Sequence, residues 1–135
     1  MAGWRDALAR FLYGRRARRL LAEARADLAA LSLPDAVAKR SRIPCAPSSR
    51  RASLRLVHRA IAGVLAAEGE THPCLVRSLA LYGDARRHGF APSLVLGVRR
   101  EGAAVESHAW LSLDGRPFLE PHGTPERFET IRTLG

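Results

Sequence analysis

The chain has 135 residues, 47% of them hydrophobic, which suits one domain (1–135) with a modest core and excludes a disordered chain. Two cysteines, Cys45 and Cys74, are too few for a disulfide-stapled secreted scaffold, and no apolar run approaches the roughly 20 residues that a membrane span needs. The net charge of +9 is unevenly placed: residues 1–70 carry 14 Lys/Arg against 6 Asp/Glu, and residues 71–135 carry 8 against 7.

No charged start leads into an unbroken apolar stretch, as a signal peptide would require, so the expected setting is a reducing cytoplasm in which a free thiol persists. A basic first half attracts nucleic acid, an acidic peptide or an acidic protein, or is simply a solvated helical surface.

The first half, residues 1–70, reads as helices. Trp4, Leu8, Phe11 and Leu12 fall at i, i+4, i+7 and i+8 and define one apolar face; Gly14 is a candidate stop. From 15 to 31 the pattern repeats with Leu20, Leu21, Ala24, Leu28 and Leu31, with arginines largely on the other side. Pro34 follows, and Asp35 is a candidate start for a short helical turn. Residues 40–50, with Pro44 and Pro47 around Cys45, form a breaker segment and a candidate linker, and Ser48 or Ser49 suits an N-cap. The next helix carries Leu54, Val57, Ile61, Val64 and Leu65 on one face and stops near Gly69.

The second half, residues 71–135, changes character. Residues 74–88 read as a helix, with Pro73 before it and Gly89 after it. Strand candidates follow at 93–100, 104–113, from 116, and at 128–134. Helices first and strands later are the order of an α+β domain with an antiparallel sheet.

Cys74 stands at the start of a helix, where unpaired N–H groups and the helix dipole favour a thiolate. Burial is the competing reading, because free cysteine is among the most buried residue types. Cys45, between two prolines, reads as structural or incidental. In 104–113 the side chains alternate: Val105, Ser107, Ala109, Leu111 and Leu113 make the natural core face, which turns Glu106, His108, Trp110 and Ser112 the other way.

Asp114-Gly115 signals a hairpin. A two-residue loop sets Leu113 opposite Arg116 and Ala109 opposite Glu120, so Glu120 faces away from His108. A three-residue loop sets Ser112 opposite Arg116 and His108 opposite Glu120. A cysteine nucleophile, a histidine base and a carboxylate that orients the imidazole form a coherent set of Cys74, His108 and Glu120.

That order resembles a known family. Pro-Cys-Leu-x-Arg-Ser-Leu-Ala-Leu at 73–81, Gly-Val at 97–98, and His-Ala-Trp at 108–110 with Asp-Gly downstream are similar to the transglutaminase-like leader peptidases of lasso peptide biosynthesis, over about 73–121. The resemblance implies a papain-like, transglutaminase-type α+β fold, with N-terminal helices before a catalytic helix and an antiparallel sheet. It implies a cysteine protease that removes the leader from a ribosomally made precursor before a separate cyclase closes the ring. Cys74 matches the nucleophile, His108 the base, and Glu120 the position usually held by aspartate; Asp114 is a fallback acid better suited to the turn. The chain resembles the stand-alone form, which works with a separate leader-recognition protein. No cofactor, metal, membrane or nucleic-acid partner is expected. Trp110 is a candidate wall of the substrate cleft, with packing the competing reading.

Three alternatives remain open at this point: acyl transfer in place of hydrolysis, a basic helical nucleic-acid-binding module, and a metal site using Cys74, His72, His108 or His122. The histidine spacing matches no common zinc pattern. The first half has few aromatics among its arginines and no recognised nucleic-acid motif.

Overall fold

The computed structural model describes residues 3–45, 51–70, 73–120 and 124–135. Four helices, α1 (Gly3–Ala30), α2 (Leu33–Ser41), α3 (Arg51–Glu68) and α4 (Pro73–Arg87), precede four strands, β1 (Ser93–Glu101), β2 (Ala104–Leu113), β3 (Arg116–Phe118) and β4 (Glu129–Leu134). The strands form one antiparallel sheet in the order β3-β2-β1-β4. This is the expected α+β architecture, consistent with a transglutaminase-like fold.

The helix that was expected to stop at Gly14 continues to Ala30. A single helical glycine costs only about 1 kcal/mol relative to alanine. Just beyond it, Ala17, Leu20, Leu21 and Ala24 bury in the core, and burying a leucine returns about 1.5–3 kcal/mol. Packing of the second half therefore carries the helix through the glycine. The apolar face of the first half behaves differently. Trp4, Leu8, Phe11 and Leu12 stay 64%, 48%, 56% and 53% exposed. They share one face, as their spacing requires, but no element of the described residues covers it.

Helix α2 starts earlier than Asp35: Ser32 is its N-cap, accepting a hydrogen bond from the Asp35 N–H at 3.2 Å, and Pro34 lies in its first turn. The proposed caps Ser48 and Ser49 lie outside the described residues. Gly69 and Gly89 follow α3 and α4 with φ of +62° and +89°, the left-handed conformation that closes a helix.

The core lies around α4, which packs α1 and α3 on one side and the sheet on the other. Leu21, Leu54, Ile61, Leu79, Tyr82, Leu94 and Leu111 are fully buried in it. Of the predicted core face of β2, only Ala109 and Leu111 are buried; Val105, near the free end of the hairpin, is 67% exposed. Helix α4 crosses β2 at Ala109, where Ser78 Oγ donates to the Ala109 carbonyl at 3.1 Å. The fully buried Asp84 carboxylate ties α4 to Arg16 of α1, which fixes the azimuth of α4 and hence of its first turn. Among the described residues, no helix is long and apolar enough to cross a membrane.

Candidate active site

Cys74 is the second residue of α4, and its thiol meets β2 at His108 and Ala109. Burial by itself would push the thiol pKa up. A hydrogen bond with His108, a backbone hydrogen bond at Ala109 and the charges of His108 and Arg77 outweigh it and hold Cys74 below its ordinary value. His108 moves the other way, from 6.5 to about 9, raised by its hydrogen bonds to Cys74 and then Glu120, against the opposing effect of burial. The two shifts run in opposite directions, and both favour the thiolate–imidazolium pair over the neutral pair.

His108 Nε2 lies 3.1 Å from Glu120 Oε2, which leaves Nδ1 as the ring nitrogen for the thiol. The other carboxylate oxygen, Oε1, accepts from Arg77 Nη2. Arg77 sits three residues after Cys74, one helical turn on, so α4 supplies both the thiol and the cation that anchors the acid. The Glu120 side chain is only 2% exposed. A carboxylate this buried needs partners for both oxygens, and His108 and Arg77 provide them.

The route by which Glu120 reaches His108 differs from the route expected. The hairpin has the two-residue loop: Leu113 pairs with Arg116 and Leu111 with Phe118. Asp114 and Gly115 both have positive φ, +52° and +76°, as the Asp-Gly turn requires. Strict alternation would then send Glu120 to the Ala109 face. The ladder, however, ends at Phe118, and Leu119 has φ +57°. A left-handed residue reverses the side-chain sequence, so Glu120 swings across to the imidazole. A branched non-glycine residue in that conformation is uncommon and is held here by partial burial of Leu119 against the core. Asp114, the fallback acid, is an exposed turn residue.

The imidazole packs against two aromatic rings that also meet each other, 6.4 Å apart. Trp110 stacks at 5.8 Å between ring centroids and Phe128 at 5.1 Å. Trp110 is 5% exposed, so its surroundings are those of a packed side chain and not of an open cleft wall. Its close approach requires Gly97, which pairs with His108 in the β1–β2 ladder. A Cβ at Gly97 would lie 2.7 Å from the Trp110 ring and 2.9 Å from Phe128. The Gly-Val element at 97–98 thus has a steric reason. Arg77 and Phe128 were not singled out as site residues from sequence. Arg77 stood inside the Cys74 motif, at helical spacing from the thiol; Phe128 carried no local signal.

Cys45 is exposed and remote from this cluster in sequence and element. Among the described residues, no group of three His, Cys, Asp or Glu is arranged to hold a metal ion; His72 and His122 lie outside the described residues.

A cysteine at a helix N-terminus, a histidine on an adjacent strand and a carboxylate behind it define the cysteine protease or acyltransferase class of site. A family model described as the transglutaminase-like superfamily matches residues 9–133, and the chain belongs to that superfamily. No curated protein and no solved structure matches it.

Proposed function

We propose that this protein is a cysteine peptidase that removes the leader from a ribosomally made lasso peptide precursor, with Cys74, His108 and Glu120 as its catalytic residues. The observation that carries the reading is the relay from the thiol through the imidazole to a buried carboxylate, with the thiol held low and the imidazole held high. The lasso assignment rests further on the resemblance of 73–81, 97–98 and 108–115.

In the proposed reaction, the Cys74 thiolate attacks the carbonyl of the last leader residue. The Cys74 backbone N–H serves as an oxyanion donor. His108 gives its proton to the departing core-peptide amine as the C–N bond breaks, leaving a leader thioester. Neutral His108 then takes a proton from water, whose hydroxide attacks the thioester and releases the leader acid and Cys74. Glu120 keeps the ring oriented and stabilises its charged form.

The exposed strip of Trp4, Leu8, Phe11 and Leu12 supports a separate leader-recognition protein as partner. Arg5 and Arg15 stack on Trp4 and Phe11 at 5.4 and 6.0 Å, so the strip favours a partner surface with apolar anchors and an acidic rim.

The test is incubation with a candidate precursor and its recognition protein. Mass analysis should show a core and a leader whose masses sum to the precursor plus one water. Cys74→Ala should abolish cleavage and leave the fold unchanged; full leader removal by that variant would refute the assignment. The superfamily also supports acyl transfer, in which an amine replaces the water in the second step. A cross-linked product of amide mass would establish that reading.

A further inference from the structure

A cleft of about 1060 Å³ opens between α3 and the β2–β3 hairpin, and Glu120 is part of its lining. Its walls carry an excess of one charge. Arg55 and Arg59 project from one face of α3, four residues apart, and Arg116 faces them from the hairpin. All three are exposed, and among the described residues none has a carboxylate partner. Most other arginines near a carboxylate are paired: Arg16 with Asp84, Arg25 with Glu68 and Glu70, Arg40 with Asp27, Arg77 with Glu120, and Arg99 with Glu106. The residues outside the description contain no Asp or Glu, so the chain has no further carboxylate side chain to offer them.

Of the two acids in the cleft, Glu120 is committed to His108 and Arg77, and only Asp114 remains to offset three guanidinium groups. The lining also holds apolar side chains, Phe118 and Leu119, which are less exposed than the three arginines. His58 lies deeper, half-buried toward Arg77 and Glu120; burial first, and Arg77 second, hold it below its ordinary value, so it adds a neutral donor and acceptor there.

We propose that this cleft binds an acidic segment of the substrate polypeptide flanking the cleaved bond, with Arg55, Arg59 and Arg116 as its specificity residues. The guanidinium fork takes carboxylates in bidentate fashion, and the apolar part of the lining suits an extended peptide with hydrophobic side chains between its acids. Glu120 lines the cleft and also bonds His108, which sets the cleft next to the catalytic cluster. This inference rests on the peptidase reading, because it supplies that reading's substrate class.

The experiment has two arms. In the first, Cys74→Ala protein is titrated against rhodamine-labelled hexaglutamate, hexaglutamine and a short single-stranded DNA, by fluorescence anisotropy. Hexaglutamate should bind best and weaken with added salt. Arg55→Gln, Arg59→Gln and Arg116→Gln should each weaken it by about two- to fivefold, the range of single exposed ion pairs. Equal binding of hexaglutamate and hexaglutamine, indifference to the arginine variants, or tighter binding of the DNA overturns the proposal. In the second arm, the wild-type protein cuts a mixed peptide digest, and the new termini are read by mass spectrometry. Asp and Glu should be enriched within a few residues of the cuts, and Arg116→Gln should reduce that enrichment. Cuts without acidic enrichment overturn the cleft assignment and leave the peptidase reading standing. No cuts, with arginine-dependent hexaglutamate binding in the first arm, would do the reverse.

Discussion

Glu120→Gln removes one charge at nearly constant volume, and that charge serves two cations. Oε2 holds His108 at 3.1 Å, and Oε1 holds Arg77. The three side chains are 2%, 15% and 17% exposed, so water screens little of the interaction. His108 stands at about 9, lifted by Cys74 first and Glu120 second against burial. An opposite charge at this range moves a pKa by about one to three. Assigning one to two of that to Glu120 gives about 1.4–2.7 kcal/mol on the imidazolium, or a 10- to 100-fold loss of the thiolate–imidazolium pair. We expect kcat/KM to fall by about that factor, and the His108 titration, followed by NMR of the ring protons, to move down toward neutrality.

The same change strands a cation. Arg77 Nε already lacks a hydrogen-bond partner, and without Glu120 the guanidinium loses its carboxylate too. Breaking a buried pair from one side costs about 3–5 kcal/mol, which urea unfolding would read. Arg77→Met combined with Glu120→Gln should recover much of that stability and none of the activity. A Glu120→Gln protein with full activity and an unmoved His108 titration would refute the proposed role of the acid.

The two titrations of the site have opposite signs. The stability contributed by His108 is complete below 6.5 and lost as pH rises through about 9, whereas that of Cys74 is complete above 9.0 and lost as pH falls through its lowered value; both groups are charged only between that lowered value and about 9, and a pH–kcat/KM profile should be bell-shaped with its alkaline limb near 9. An alkaline limb near 6.5 would contradict the His108 environment. Gly97→Ala drives a methyl into the Trp110 and Phe128 rings and should cost about 1–3 kcal/mol in urea unfolding, with disturbed His108 ring shifts; an unchanged midpoint would mean that the rings have other room. Leu119→Gly can keep φ near +57° whereas Leu119→Val strains it, so His108 should stay high in the first and drop in the second by NMR titration.

Local sequence determined most of the elements. Pro73 and Gly89 bracketed α4, alternation marked β2 over residues 104–113, and Cys74 at a helix start was visible from its punctuation. These are short-range signals, set by backbone geometry and by periodicity. They were insufficient where tertiary packing competes with them. Gly14 looked like a stop, yet burial of Ala17, Leu20, Leu21 and Ala24 outweighs its cost. The spacing of Trp4, Leu8, Phe11 and Leu12 defined a face and could not say whether anything would cover it.

The acid shows the division most clearly. The Asp-Gly turn dictated a two-residue loop, and alternation alone would have parted Glu120 from His108. Alternation holds only while the ladder lasts, and this one stops at Phe118. Beyond it, the conformation of Leu119 depends on what it packs against, and the position of Glu120 depends on Arg77 of a helix 43 residues away in sequence. Residue type and spacing supplied the thiol, the imidazole and the carboxylate. Long-range packing of α4 across β2, and a buried guanidinium that needs its carboxylate, brought them together.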